Sequence, residues 1–416
     1  MKILIIGSGA REHAITWKLK QSPRVKELFV APGNAGISEI ATCVPINADD
    51  INGLHEFAVR EKIDLTVVGP EMPLVMGIVD LFQNSGLRIF GPDKHAALFE
   101  GSKSYSKAFM EEHDIPTAAY KEFTNLDSAK ENVSIFDFPL VIKADGLAAG
   151  KGVVICESEE EAKATLDEMM KDKIFGDAGE KVVFEEFLTG IEASVLCFVD
   201  GKTIKPMASA QDYKKAYDND EGLNTGGMGA YSPSQLFDET FEAYIDEKIL
   251  QPFLLGTQKD GIDYKGVIFI GLMIKDNEAK VIEFNCRLGD PETQVVLPRL
   301  KTDLLDIIDA CIDGTLNQIE MEWSKDEAVG VVMASGGYPG HYEKGKVITG
   351  LDHTEALVFH AGTTLKDNEI VTNGGRVLTV VTLSDHLNKA RAHTYKEVEK
   401  IRYSQMMYRT DIAKPQ

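Results

Sequence analysis

The chain is short of the residues that staple small folds or hold structural zinc. Its 416 residues include five cysteines, Cys43, Cys156, Cys197, Cys286 and Cys311, scattered and without a C-x-x-C pair. Neither a disulfide frame nor a zinc site is indicated, and a reducing compartment is expected. Positive charge is also scarce: 44 Lys and Arg stand against 66 Asp and Glu, a formal net charge of −22. The acidic residues run the whole length, so the concentrated basic face that duplex nucleic acid requires is missing. Small anions need only a few local cations and stay admissible. No apolar run is long enough to cross a bilayer, and Met1-Lys2 leads into Ile3-Leu4-Ile5-Ile6, too short and too soon followed by glycine for a signal peptide. The expectation is a cytoplasmic protein with no membrane or nucleic-acid partner.

A chain of this length exceeds one ordinary core, so about two to four domains are expected. The first hundred residues alternate strand and helix: strands at 2–6, 28–30, 65–68 and 88–90, helices at 12–20, 53–61 and 74–84. That order predicts a parallel, Rossmann-like sheet. A helical stretch over 94–113, interrupted at Gly101, leads into an α+β module from about Tyr120 to Leu188, in which Ser158-Glu159-Glu160-Glu161 reads as a capping box. Longer strands follow at 266–274 and 279–285 around the turn Asp276-Asn277, then a helix over 304–312. Beyond Ala328 the pattern is mixed, with a hairpin expected at Asn373-Gly374-Gly375 and a helix opening at Ser384. There is no internal repeat.

Three segments carry chemistry. The first, Lys143-Ala144-Asp145-Gly146-Leu147-Ala148-Ala149-Gly150-Lys151-Gly152, lies between two β-like runs. It lacks the spacing of a Walker A loop, has Gly152 where the magnesium hydroxyl belongs, and is followed by a strand. Glycines free backbone N–H groups to turn toward a polyanion, so the loop reads as a lid over a nucleotide triphosphate. The second, Gly7-Ser8-Gly9-Ala10-Arg11-Glu12-His13, follows a strand and opens a helix, a setting suited to an anion. It fails as a dinucleotide fingerprint because position 12 is Glu and the next strand runs into Ala31-Pro32-Gly33 with no acidic residue for a ribose. A monophosphate held by this loop with Gly69-Pro70-Glu71 fits better. Arg11 and His13 either contact that ligand or simply cap and solvate the helix. The third, Val281-Ile282-Glu283-Phe284-Asn285-Cys286-Arg287, alternates faces, putting Glu283, Asn285 and Arg287 on one side. A carboxylate and an amide oxygen are hard ligands of the kind Mg²⁺ takes while bridging substrate phosphates, and Arg287 beside them can fork onto a carboxylate or phosphate.

Taken with Glu100 to Lys103, Glu185 to Gly190, Ala210 to Lys214, Asn224 to Tyr231 and Glu283 to Leu297, these segments resemble the ATP-grasp superfamily. Within it they resemble the phosphoribosylamine–glycine ligase (glycinamide ribonucleotide synthetase) family of the bacterial monofunctional type, over essentially the whole chain. Ala10 departs from it, standing where the family usually has glycine. The resemblance implies an α/β and α+β multidomain fold: a Rossmann-like domain over 1–101, an ATP-grasp domain over 102–325 with a mobile lid at about 120–189, and a small mixed α/β domain over 326–416.

The resemblance further implies an ATP site in which Lys103 and Lys143 contact phosphates and the loop with Gly146, Gly150, Lys151 and Gly152 covers them. The strand residues Glu185, Glu186 and Leu188 lie at adenine and Glu192 at the ribose, while Glu283 and Asn285 hold Mg²⁺, with Mn²⁺ the alternative ion. Gly9, Arg11, Gly69, Pro70, Glu71, Thr225, Gly226, Gly227 and Met228 fall on the substrate side, with Arg287, Asp212 and Asp290 as catalytic candidates; Asp212 could equally be a buried salt-bridge partner. The implied reaction ligates glycine to 5-phosphoribosylamine through glycyl phosphate, releasing ADP and phosphate, in a monomer or weak dimer that makes transient contact with the enzyme supplying phosphoribosylamine. Competing readings are an ATP-grasp ligase for another carboxylate, a nucleotide-binding regulator without catalysis, and a dehydrogenase.

Overall fold

The computed structural model describes residues 1–148 and 152–414. Five strands, β1 (Lys2–Gly7), β2 (Glu27–Pro32), β3 (Thr42–Cys43), β4 (Leu65–Val68) and β5 (Ile89–Phe90), form one sheet in the order β3-β2-β1-β4-β5. The pairs run parallel, the Rossmann-like arrangement expected. The first strand is a continuous apolar run because helices cover both faces. The helix expected over 74–84 is broken: Gly77, at φ +92°, ends Glu71–Met76 and starts Ile78–Asn84. The stretch after β5 breaks at Ser102 rather than Gly101. Ser102 is extended, and its hydroxyl accepts the Tyr105 N–H at 3.2 Å to cap the helix Lys103–Glu112.

The lid is a second sheet, β6 (Tyr120–Phe123), β7 (Leu140–Ala144), β8 (Val153–Cys156) and β9 (Val182–Glu186), ordered β6-β9-β7-β8. It has its own apolar cluster, including Phe123, Leu140, Ile142, Leu166 and Phe184, so it packs as a separate unit. Ser158 caps the lid helix by accepting the Glu161 N–H, while the Glu161 carboxylate reaches back to the N–H of Glu157, one residue before the cap.

Next come β10 (Ile191–Asp200) and β11 (Ile204–Pro206), then β12 (Gln211–Asp212), the hairpin β13 (Lys215–Tyr217) and β14 (Glu221–Asn224), and β15 (Gly229–Ser232). The long strands β16 (Lys265–Lys275) and β17 (Glu278–Asn285) turn at Asp276 and Asn277, both at positive φ, the preference of a tight hairpin. They join β10 and β11 in a sheet ordered β11-β10-β16-β17. Its apolar face packs with the N-terminal domain through Ile268, Ile270, Phe284, Leu54 and Phe82.

The C-terminal region holds β18 (Glu327–Ser335), β19 (Leu357–His360), β20 (Thr363–Lys366), β21 (Glu369–Thr372), β22 (Arg376–Ser384) and β23 (Met406–Met407). Its hairpin turns at Asp367-Asn368, between β20 and β21, instead of at Asn373-Gly374-Gly375, which leads into β22. Its helix starts at Leu387; Ser384 still belongs to β22. Strands β12 and β15 extend this sheet in the order β12-β15-β18-β22-β19, so residues on both sides of 326 share one sheet.

Candidate active site

A cavity of ≈ 540 Å³ lies between the lid sheet, the polar face of β16 and β17, the Pro70-Glu71 turn and the start of β22. On the lid side, Lys143 from β7 meets Glu185 from β9 at 2.8 Å, and Lys107, one helical turn beyond Lys103, meets the other oxygen of Glu185 at 2.9 Å. All three side chains are buried. Burial lowers the Lys107 ammonium to about 8, against the pull of Glu185. Burial also lowers Lys103, with Glu283 opposing the shift and Lys143 adding to it. Lys143 donates in addition to the Ile282 carbonyl at 3.2 Å, tying the lid to β17. Lys103 donates to the Gly146 carbonyl at 3.2 Å, and the Gly146 N–H goes to Ala178, so this glycine does not aim its N–H into the cavity. Gly152 lines the cavity; Gly150 and Lys151 lie outside the described residues. Glu186 and Leu188 line the far end, where Glu186 pairs with Lys280 at 2.7 Å. Glu192 pairs with Lys214 at 2.8 Å.

The face of β17 carries the expected trio. Asn285 donates to Glu283 at 3.3 Å and accepts from Arg287 at 3.1 Å. Burial would raise the Glu283 carboxyl, but Lys214, Lys143 and Lys103 together hold it below its ordinary value, so it stays ionised at neutral pH. The Arg287 guanidinium reaches Glu100 at 2.9 Å and Glu71 at 3.3 Å. Burial raises the Glu100 carboxyl to about 7 despite Arg287. Burial likewise raises Asp212 and Glu292, each further raised by neighbouring carboxylates.

At the N-terminal loop Glu12 explains the failed fingerprint. Its carboxylate accepts the Gly9 N–H and the Arg11 Nε–H, each at 2.6 Å. A Cβ at Gly7 or Gly69 would come within 2.5 or 2.2 Å of this side chain. The glycines at 7 and 69 make room for Glu12, and Gly9 and Gly69 serve the loop rather than the cavity wall. Arg11, Pro70 and Glu71 do reach the cavity. His13 faces away, its Nδ1 accepting the His360 N–H at 2.9 Å, and burial lowers its imidazole to about 3.

Thr225 folds its hydroxyl onto the Lys214 carbonyl at 2.7 Å and receives the Gly227 N–H at 3.0 Å, presenting Thr225 and Gly226 to the cavity. Gly227 sits at φ +111°, where a side chain would also strike Pro291. Met228 is fully buried and belongs to the core. Asp290, on the loop after β17, is held by Gln294 at 2.7 Å and by Arg376. Burial opposes its ionisation, but Arg376 and Arg11 keep its carboxyl low.

Sequence reading gave no site role to Lys107, Lys214, Glu12, Glu292 or Arg376. Helical spacing from Lys103 points to Lys107, and strand alternation from Asp212 points to Lys214. Glu292 continues the polar run after β17, and Glu12 was seen only as a missing glycine. Arg376 arrives from the C-terminal sheet, and no local pattern marks it.

A lid sheet closing on a second sheet, with lysines from both walls around a buried carboxylate, defines an ATP-grasp ligase. Family profiles agree along the chain: phosphoribosylglycinamide synthetase, N domain, over residues 1–100; its ATP-grasp (A) domain over 101–293; and its C domain over 328–415. The chain is 51% identical over 414 residues to a phosphoribosylamine–glycine ligase of Caldanaerobacter subterraneus subsp. tengcongensis, covering 99% of each chain. It is 51% identical to that of Halalkalibacterium halodurans, covering 99% of this chain and 96% of the relative. The crystal structure of phosphoribosylamine–glycine ligase from Thermotoga maritima superposes with a TM-score of 0.88 at 34% identity, covering 99% and 100% of the two chains. A biotin carboxylase domain from Hydrogenobacter thermophilus shares the fold alone, at a TM-score of 0.75 and 14% identity over 98% and 91%. The chain belongs to the phosphoribosylglycinamide synthetase family. It is an ADP-forming carbon–nitrogen ligase that joins glycine to 5-phosphoribosylamine in purine biosynthesis. Among the described residues no helix is long and apolar enough to cross a membrane.

Proposed function

We propose that ATP lies between the lid and β16–β17 with its phosphates toward Lys103 and Lys143, its adenine near Glu186 and Leu188, and its ribose at Glu192. Glycine and 5-phosphoribosylamine occupy the other end, bounded by Arg11, Pro70, Glu71, Asp290 and the turn Thr225–Gly226. The observation that carries this reading is Glu283, a half-buried carboxylate kept ionised by Lys214, Lys143 and Lys103. A charge drawn away from water needs compensation, and this set of opposite charges suits a polyphosphate with its cation.

ATP-grasp enzymes use ATP with Mg²⁺ or Mn²⁺. Glu283 and Asn285 would hold that ion here, since they offer hard oxygen donors and Glu283 is already ionised. When bound, the ion neutralises charge on the phosphates during transfer. The remaining work is positioning. A carboxylate oxygen of glycine attacks the γ-phosphorus, the bond to the β-phosphate oxygen breaks, and ADP departs from glycyl phosphate. The amine of phosphoribosylamine then attacks the acyl carbon, phosphate leaves with the former carboxylate oxygen, and the amine releases a proton. Arg287 swings its fork from Glu71 and Glu100 to the carboxylate or the acyl phosphate, while the closed lid keeps water from the acyl phosphate.

Incubation with ATP, Mg²⁺, phosphoribosylamine generated in situ and single amino acids tests the assignment. ADP is expected with glycine; ADP formed with another carboxylate and not with glycine would overturn it.

A further inference from the structure

A dense polar cluster outside the cavity lies where the C-terminal segment crosses the β13–β14 hairpin. Arg409 has a side chain only 1% exposed. Its guanidinium forks onto Asp411 with two bonds of 2.7 Å, reaches Asp220 at 2.8 Å and the Lys215 carbonyl at 3.2 Å, and lies 4.9 Å from the Tyr213 ring centroid. Around it, Thr410 bonds Asp218 through its N–H and hydroxyl, and Asp411 accepts the Asn219 N–H. Behind, Tyr395 and Arg391 hold the segment to the helix Leu387–Val398.

The hairpin gripped in this way is a two-stranded sheet with a register shift, and residues 219–224 are exposed. Two strands alone are marginally stable in water, so its position is set by what it docks against. Its arms run directly into the cavity wall. Tyr213 accepts the Met228 N–H and Lys214 accepts the Thr225 N–H, so Lys214 and the turn Thr225–Gly227 move with the hairpin.

We propose that Arg409 is a positioning residue for the ligase reaction: through the Lys215 carbonyl and Asp220 it holds the hairpin, and thereby the Thr225–Gly227 turn at the substrate end of the cavity and Lys214 beside Glu192. This rests on the reading of Thr225–Gly227 as substrate-side. Arg409→Lys keeps the charge and loses the planar fork. Asp220→Asn removes one arm at a carboxylate 69% exposed, so it folds even where a change at the buried arginine does not.

Two measurements on the full-length enzyme test it: amide hydrogen exchange without ligands, and steady-state kinetics for each substrate. Arg409→Lys should speed exchange across 213–227 about tenfold and lower kcat/KM for glycine and phosphoribosylamine about tenfold, with Asp220→Asn in the same direction but smaller. Exchange in β18 and β22 should change less than about twofold. Unchanged exchange in 213–227, or an equal rise throughout the C-terminal sheet, would overturn the positioning role. Faster exchange confined to 213–227 with unaltered kinetics would instead overturn the substrate-side reading, and the inference with it.

Discussion

Arg376, the first residue of β22, reaches out of the C-terminal sheet to hold Asp290 at 3.1 Å, and the same guanidinium donates to the Gly226 carbonyl at 2.6 Å. A Cβ at Gly226 would lie 2.8 Å from the Arg376 carbon, so the glycine permits this contact. Two segments far apart in sequence are thereby locked together at the substrate end of the cavity.

Arg376→Lys should loosen that lock. A lysine keeps the charge but loses the planar fork that spans Asp290 and the Gly226 carbonyl. Hydrogen bonds to charged groups are worth about 1.5–3 kcal/mol, so kcat/KM for glycine or phosphoribosylamine is expected to fall about tenfold to a hundredfold. The KM for ATP should hold; initial-rate measurements in which each substrate is varied in turn decide the matter.

Glu185 bridges Lys107 and Lys143 in a buried triad. Glu185→Gln leaves two buried ammoniums without their counter-charge, and breaking a buried pair costs about 3–5 kcal/mol. The free enzyme should melt earlier. If Lys143 contacts ATP phosphates, saturating ATP with Mg²⁺ should restore more melting temperature to the variant than it adds to the wild type. Equal shifts by calorimetry would remove Lys143 from the nucleotide site.

Much of this was legible in local pattern. Strand alternation over 281–287 placed Glu283, Asn285 and Arg287 on one face, and the parallel order of β1, β2, β4 and β5 followed from strand–helix alternation. What stayed hidden depends on contacts between distant segments. Arg287 was expected to be free for substrate, yet its fork holds Glu71 and Glu100, which only the docking of the N-terminal domain brings near. The hairpin misread at Asn373-Gly374-Gly375 shows the same limit: Asp367-Asn368 makes the turn because both residues adopt positive φ, while the two glycines accommodate close approach, with Gly374 packed on Gly362 and Gly375 against Tyr338. Glycine marks either use, and only pairing distinguishes them.

The C-terminal domain should carry an acid-sensitive staple. The Glu397 side chain is 2% exposed and accepts from Lys400, from Thr354 at 2.8 Å and from the Glu355 N–H at 2.9 Å. Burial would raise its carboxyl, but Lys400 and these donors bring it down to about 2. A carboxyl lowered on folding adds stability that is complete above its unfolded value and lost as pH falls through the folded one. Stability should therefore drop between about pH 4.5 and pH 2. Glu397→Gln should lower the melting temperature at pH 7 and flatten this acid limb; an equally steep limb in the variant would place the sensitivity elsewhere.

The central assignment, transfer of phosphate to the glycine carboxylate within this cleft, is tested most directly by following an oxygen atom. With glycine labelled by ¹⁸O in both carboxylate positions, ATP, Mg²⁺ and phosphoribosylamine, each turnover should leave one ¹⁸O in inorganic phosphate and one in the amide product, read by mass spectrometry. Glu283→Gln should abolish that transfer while the protein stays folded. Unlabelled phosphate released in step with product, or transfer at the wild-type rate in Glu283→Gln, would contradict the acyl-phosphate route or the place of Glu283 in it.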